Sequence, residues 1–313
     1  MINPVDSLDK IFTEIQDRYL ILRRIKFYSL LRFLLKLYAN IYVPFYYSLT
    51  SENINYRLDK IKRDVPVIVS LTSFPLRINR LWIVIESIFR QIDKPDRIIL
   101  WLSKEQFANI EILPRSLKNL INKGLEIYLV DDDLKSHKKY YYTLKNNCNS
   151  ILVTIDDDIL YPTNLLRDLL VIHKVNKNAV ICHRAFSIEY INNNIASCLK
   201  WQFIKNSSCK NKNLFFTTGG GTLFPPNSLY SDTLDSDLFK RLSFLADDVW
   251  LNAMAKLNKT EIIKTNFYSE CIPIMYLKNI RLTNYNDHQN GNDLQINQIR
   301  SYYIHNINID PFK

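Results

Sequence analysis

The chain has 313 residues, 47% of them hydrophobic and 23% charged, which excludes wholesale disorder and allows a substantial core. Its five cysteines are scattered with no C-x-x-C pair, a pattern that argues against a disulfide framework or a zinc site and suits a reducing cytosol. The net charge of +10 fits acidic partners, whether nucleic acid, an anionic membrane or phosphorylated substrates, and does not choose among them.

Residues 1–63 read as an N-terminal basic amphipathic helical arm and residues 64–313 as a catalytic domain. Asp6, Asp9 and Glu14 interrupt the first apolar residues, so no secretory signal is expected. The uncharged stretch from Leu37 to Ser51 contains Pro44 and falls short of the roughly 20 apolar residues that a spanning helix needs. Upstream of it, Arg18, Arg23, Arg24, Lys26, Arg32 and Lys36 are interleaved with leucines, isoleucine and phenylalanines. Such a helix either lies in a membrane interface beside anionic headgroups or packs on the domain with its charges solvated. The expected location is the cytoplasm, with a peripheral contact on the inner face of the cell membrane under the first reading.

From Val65 the pattern becomes regular. Val67 to Leu71 is an apolar run that predicts a buried strand, and Leu81, Ile85, Ile88 and Phe89 follow at helical spacing. Arg97 to Leu102 predicts a second strand. A helix holding Leu117, Leu120 and Ile121 comes next, closed by Gly124 in the position a C-cap favours. Further strands are expected at Leu125 to Val130 and Ile151 to Ile155, with a short helix between them. Thr163 is expected to cap a helix bearing Leu165, Leu166, Leu169 and Leu170, and Ala179 to Cys182 predicts a fifth strand. Alternating strands and helices predict an α/β fold with a mainly parallel central sheet flanked by helices. Ligands of such sheets gather at the carboxyl ends of the strands.

The first strand runs into Thr72, Ser73, Phe74, Pro75, Leu76 and Arg77, a polar loop with a fixed proline and a cation that suits a nucleotide or merely makes a turn. The third runs into Asp131, Asp132 and Asp133, followed by Lys135, His137, Lys138 and Lys139. These acids either cap the next helix or read a base or ribose, and a lysine there suits a phosphate. The fourth ends in Asp156, Asp157 and Asp158. Strand alternation would place Asp156 and Asp158 on one side and Asp157 on the other. Three adjacent carboxylates repel one another unless a cation joins them, and Mg²⁺ or Mn²⁺ held by one or two carboxylates plus substrate phosphates is the usual remedy. The triplet is therefore a candidate metal site.

Thr217 to Pro226 holds three of the chain's five glycines, Gly219, Gly220 and Gly221. They imply close backbone approach to a ligand or positive φ, with a bend in an edge strand as the plain alternative. Asp247 and Asp248 open an amphipathic helix. The helix dipole accounts for one acid, and the other is a candidate general base. Arg184, after the fifth strand, is a candidate for stabilising a leaving group. His173 reads as a surface or packing residue, and His288 as a loop histidine near a closing segment.

Taken together, V-S-L-T-S-F-P-x-R, I-D-D-D-I-x-Y-P, G-G-G-T-L-F-P-P and A-D-D-V-W resemble bacterial glycosyltransferases of the GT-A type, near the family 2 enzymes of capsule and lipopolysaccharide synthesis. The resemblance spans roughly Asp64 to Arg300. It implies a GT-A fold, a nucleotide-sugar donor with a UDP-sugar favoured, a saccharide or lipid-linked saccharide acceptor, and Mn²⁺ or Mg²⁺. Asp156 and Asp158 match its D-x-D element, whose acids touch the donor's ribose and its diphosphate-bound metal, which makes them the expected metal ligands. Thr72, Ser73, Pro75 and Arg77 match the loop on the nucleotide side, with Asp132 or Asp133 near the base. Asp247 and Asp248 match the acidic pair that includes the base of inverting members, with either as the base. Asp157, Lys138, Arg184, Gly220 and Gly221 complete the expected donor site, and Asn290 to Gln295 resembles a segment that folds over the donor. No acceptor signature is present, and the common D-G-S continuation is missing. A nucleotidyl- or phosphotransferase on the same sheet would need a glycine-rich phosphate loop, and G-x-x-x-x-G-K is absent. A non-catalytic basic binding protein is the remaining alternative, but the basic residues are dispersed and no nucleic-acid module is recognisable.

Overall fold

In a computed structural model, which describes residues 3–21, 26–58, 63–205, 209–210, 213–267, 269–276 and 291–313, the apolar runs of the sequence become one large sheet. Its strands are β1 (Val67–Thr72), β2 (Arg97–Ser103), β3 (Leu125–Val130), β4 (Ile151–Thr154), β5 (Val180–Cys182), β6 (Thr222–Phe224) and β7 (Ile262–Lys264). They lie in the order β7-β5-β6-β4-β1-β2-β3, with the two-residue strand Cys209–Lys210 beyond β7. β1 pairs in parallel with both β2 and β4, so that Val69 stands opposite Ile98 on one side and Val153 on the other. β6 runs antiparallel between β4 and β5.

The run in β1 is continuously apolar because both faces of the sheet are covered. Val67, Val69 and Leu71 join one core, while Ile68 joins Ile99 and Trp101 on the opposite face. Each fully buried aliphatic side chain contributes about 1.5–3 kcal/mol. Helices α1 (Pro4–Ile21), α2 (Lys26–Thr50), α3 (Leu81–Phe89) and α5 (Leu165–Val175) cover the first face. Helices α4 (Lys138–Asn146), α6 (Asp247–Leu257) and α7 (Gly291–Ile307) cover the second. This is the mainly parallel, helix-flanked α/β architecture expected of a GT-A fold.

Three local expectations are corrected. The helix around Leu117 is a short α-turn, Arg115–Lys118, continued as a 3₁₀ stretch, Asn119–Lys123, and Gly124 closes it at φ 110°. Thr163 does not cap α5. Its N–H and hydroxyl both donate to the Asp6 carboxylate, at 2.8 and 2.7 Å, tying α1 to the start of α5. The glycine segment does not bend an edge strand, because it leads into β6 at the centre of the sheet. β6 has only three residues, too few to show a period in the sequence.

The arm is packed. Val5, Leu8 and Phe12 of α1 and Ala39, Val43 and Tyr47 of α2 belong to the core under the sheet. Pro44 lies inside α2 and lacks the N–H that would bond the Asn40 carbonyl. The Arg80 guanidinium takes its place, Nη2 donating to Asn40 O at 2.7 Å, so the defect becomes an anchor. Asp9 is also buried, accepting from Ser269 Oγ at 2.5 Å, and burial pushes its carboxyl up to about 7. A raised acid binds its proton more tightly when folded, so its contribution to stability is lost as pH rises from about 4 to about 7. Asp9→Asn keeps an acceptor for Ser269 and cannot ionise. It is expected to raise stability by a few kcal/mol at pH 8 and by little at pH 4, at ~1.4 kcal/mol per pKa unit. Thermal melts at the two pH values check this; equal shifts at both would refute it.

Candidate active site

The carboxyl ends of β1 and β4 meet the glycine turn before β6 and the start of α6. β4 ends at Thr154, and beyond it the chain leaves the ladder. Strand alternation therefore does not govern the acidic triplet, which corrects the expected pairing of Asp156 with Asp158 on one face. Instead Asp157 and Asp158 share one guanidinium: Arg77 Nη1 lies 2.5 Å from Asp157 and Nη2 lies 3.0 Å from Asp158. Ser73 Oγ donates to Asp157 at 2.6 Å. Asp157 is buried, and burial raises its carboxyl pKa in spite of Arg77 and Ser73. Arg77 is held charged, because the two carboxylates outweigh its own desolvation.

Asp156 turns the other way, toward Lys139. The Lys139 ammonium is buried and lies 2.8 Å from Asp156 and 3.0 Å from Asp247. It is placed there by β1, whose Ser70 hydroxyl donates to the Lys139 carbonyl at 2.5 Å and fixes the first turn of α4 against the sheet. Burial opposes its charge, but Asp156, Asp247 and Asp248 outweigh that and raise its pKa. Lys139 thus joins the strand-end acids to the acids of α6.

Asp247 and Asp248 respond oppositely to their surroundings. Burial disfavours both anions, yet for Asp247 the adjacent Lys139 prevails and holds the carboxyl below its ordinary range. Burial and the neighbouring Asp247 charge push Asp248 up, against the pull of Lys139 and Thr218. The Thr218 N–H donates to Asp248 at 2.7 Å, and its hydroxyl lies 2.5 Å from Asp248 and 2.8 Å from Asp247. Asn252, one turn along α6, bonds both the N–H and the carbonyl of Phe216 and fixes this helix to the glycine turn. One anion and one proton-accepting carboxyl, side by side, form a pair suited to acid–base work.

The three glycines are each required. A Cβ on Gly219 would fall 1.8 Å from Asp156 Oδ2, and one on Gly220 would fall 2.7 Å from the Arg184 Cβ. Gly221 has φ +93°, a conformation that L side chains rarely adopt. Tyr161 locks the turn to the triplet, accepting the Asp156 N–H at 2.8 Å and donating to the Gly219 carbonyl at 2.5 Å. Arg184 lies on this turn with its guanidinium over Phe203. Thr217 Oγ1 is buried beside Gly220 with no hydrogen-bond partner among the described residues.

The remaining expected residues make their bonds to partners other than the triplet and the acid pair. Thr72 donates its hydroxyl to Trp101 O at 2.8 Å, and Pro75 is at the exposed corner of the loop. Asp132 is exposed, with Lys240 at 3.9 Å. Asp133 is paired with Lys138 and Lys135, which, against its burial, hold its carboxyl below the ordinary range. His137 is buried between Tyr140 and the Ser243 carbonyl, and burial lowers it to about 4. His173 is a buried packing residue of α5. His288 and Asn290 lie outside the described residues.

Sequence reasoning missed Lys139, Thr218 and Tyr161 as members of the site. Lys139 had a signal, as one of four basic or imidazole residues after the third strand, but its burial had none. Thr218 and Tyr161 act by contacts made only in the fold.

For a divalent ion, the donor set is two carboxylates, Asp156 and Asp158; among the described residues no group of three or more His, Cys, Asp or Glu could hold a metal. As hard oxygen donors the two suit, by their chemistry, an ion whose remaining ligands are phosphate oxygens and water, but here Asp156 faces Lys139 and Asp158 faces Arg77, so each carboxylate is paired with a cation of the chain. A recess of about 650 Å³ lies elsewhere, at the amino-terminal ends of β5 and β7, lined by Asn176, Asn178, Asn227, Asn258 and Glu261 among others. Lys177 and Lys259 also line it, and with Glu261 as its single carboxylate it lacks the grouped acids of the triplet.

No family profile and no curated protein matches the sequence. Among solved structures, the mannosyltransferase PcManGT from Pyrobaculum calidifontis, in complex with GDP-Man and Mn²⁺, is similar over 90% of this chain and 77% of its own, with 13% identity and a TM-score of 0.46. HddC from Yersinia pseudotuberculosis is similar over 51% of this chain and 76% of its own, with 13% identity and a TM-score of 0.32. At these scores neither transfers a residue role to this chain.

Proposed function

We propose that this chain is a nucleotide-sugar-dependent glycosyltransferase that inverts configuration at the anomeric carbon. The observation that carries the reading is the convergence of Asp156, from the triplet after β4, and the α6 acid pair on one buried lysine, at the carboxyl ends of parallel strands. Asp248 takes the proton from an acceptor hydroxyl. The acceptor oxygen then bonds to the anomeric carbon while the bond from that carbon to the diphosphate oxygen breaks. Lys139 keeps Asp247 ionised, which makes Asp248 the group with room for a proton. Arg77 and Ser73 fix Asp157, and through it the direction of Asp156 and Asp158. Asp156 and Asp158 would hold a Mg²⁺ or Mn²⁺ ion, which would supply Lewis-acid neutralisation of the diphosphate charge.

Gly220, Gly221, Arg184 and the unpartnered Thr217 hydroxyl form the wall nearest the donor in this reading. Thr72 and Pro75 lie on the nucleotide side, with Asp132, Asp133 and Lys138 beyond them. A role in cell-surface polysaccharide synthesis, a UDP-sugar and a saccharide or lipid-linked acceptor rest on the motif resemblance. A cytoplasmic enzyme in peripheral contact with the membrane belongs to the same reading.

The test is thermal stabilisation and donor hydrolysis across UDP-, GDP-, CMP- and dTDP-sugars, with and without Mn²⁺. One donor is expected to raise the Tm of the wild type in the presence of the ion and to leave Asp158→Ala unshifted. A ligand at a hundred times its Kd adds about 2.7 kcal/mol, which a melt resolves. Silence toward every donor by a folded sample would defeat the reading.

A further inference from the structure

α2 buries one face and leaves the other bare. Phe27, Leu30, Leu34, Ile41, Phe45 and Leu49 are each 49 to 70% exposed and recur every three, four or seven residues. They make a stripe along one side of a helix about 35 Å long at 1.5 Å per residue. A contiguous apolar strip of that length is unusual on a water-facing surface and marks a contact. No helix among the described residues is long and apolar enough to cross a membrane. The charge of the chain around the stripe points to its partner: from Arg18 to Ser51 there are six basic residues and no acidic one, of which Arg32 and Lys36 are half-buried with their cations over Phe12, at 4.9 and 5.6 Å from the ring centre. Apolar and aromatic side chains with basic residues along the same segment complement an anionic lipid surface, which offers headgroup charge above an acyl layer.

The buried side of α2 leads to the active site. Asn40 clamps the chain after β7, its Nδ2 donating to Pro273 O at 3.0 Å and its Oδ1 accepting from Met275 N at 2.8 Å. Arg80 bonds both Asn40 O and Met275 O, at 2.7 and 2.9 Å. One residue further, the Tyr276 hydroxyl donates to the Asp157 carbonyl at 3.0 Å, and its ring lies beside the Arg77 guanidinium. A single short segment therefore separates the stripe from the acidic triplet.

We propose that the outer face of α2 seats the protein on an anionic lipid bilayer, with the helix lying along the surface and the acidic triplet held beside it. The lipid-linked class of acceptor follows only if the transferase reading holds; the seating does not depend on it.

The experiment is co-sedimentation of the full chain with vesicles of phosphatidylglycerol and phosphatidylcholine, and in parallel with phosphatidylcholine alone. The wild type is expected to pellet with the anionic vesicles, more weakly at high salt and at least ten-fold less with the neutral ones. The variant Ile41→Ser/Phe45→Ser/Leu49→Ser, altered only at exposed positions, is expected to keep its Tm and lose at least ten-fold in binding. Val171→Ser/Val175→Ser, which removes exposed apolar side chains from α5, is expected to bind like the wild type. Wild type that stays in solution with anionic vesicles overturns the proposal, as does equal loss in the α5 variant. So does a wild-type dimer in light scattering that the α2 variant dissociates without any vesicle binding, since the stripe would then join two copies. Donor-induced stabilisation, read on the same samples, reports separately on the transferase chemistry.

Discussion

Asp248→Asn is expected to lower transfer by about 10²- to 10⁴-fold, the range typical of a lost general base, while leaving donor-induced stabilisation in place. The substitution keeps size and hydrogen bonding: the Thr218 N–H still finds an oxygen at the same position. What it removes is the ability to accept a proton. The choice of Asp248 over Asp247 rests on opposite electrostatics within one turn of helix. Asp247 has Lys139 at 3.0 Å and is held anionic. Asp248 is pushed up by burial and by that neighbouring anion. A base must be ionised to act, so the rate is expected to rise with pH along a limb set above the ordinary carboxylate range, and to fall away in acid. Initial rates of both variants against pH check the assignment. If Asp247→Asn lost the limb and Asp248→Asn retained it, the roles would be reversed.

Lys139→Met is expected to be costly to the fold as well as to turnover. The ammonium is the partner of a buried carboxylate, and removing one member of a buried pair costs about 3–5 kcal/mol, because the other is left charged without compensation. For a chain of this length that corresponds to a fall in Tm of roughly 5–8 °C. The sign with pH follows from Asp247. Its folded pKa lies below the ordinary value, so its contribution is present above the ordinary carboxylate pKa and is lost as pH falls through the folded one. The gap between wild type and Lys139→Met is therefore expected to be full at pH 7 and to close below about pH 4. Melts of the two proteins across that range measure it, and an unchanged Tm at pH 7 would show that water already compensates the site. Asp156, being partly exposed, contributes little to this difference, because solvent screens it.

Much of the frame is legible in the residues because its signals are local. The apolar runs at Val67, Arg97, Leu125 and Ile151 are strands buried on both faces, and continuous hydrophobicity reports that directly. The same runs end in loops at the carboxyl edge of a parallel sheet, so the order of elements along the chain is enough to assign Ser73, Arg77 and the triplet to one site. Gly124 and Gly221 can be read as backbone requirements because a positive φ is a property of the residue itself. The scarcity of glycine makes the cluster at Gly219 to Gly221 legible as well.

Pairing is decided only in three dimensions. Residues 156 to 158 spell three equivalent acids, yet the end of the β4 ladder at Thr154 turns Asp157 and Asp158 to Arg77 and Asp156 to Lys139. Lys139 is 17 residues from Asp156 and far more distant in sequence from Asp247, and no periodicity links them. The difference between Asp247 and Asp248 likewise depends on which neighbour a buried cation reaches, a distance of ångströms that composition does not encode. The arm shows the same division. Its amphipathic, basic character is plain in the residues from Arg18 to Lys36, but which of its faces meets the core is set by Asn40, Pro44 and Arg80. Hydrophobic pattern is additive along a chain and survives in the sequence. Charge pairing is a property of sites brought together by folding, and so only the tertiary structure decides it.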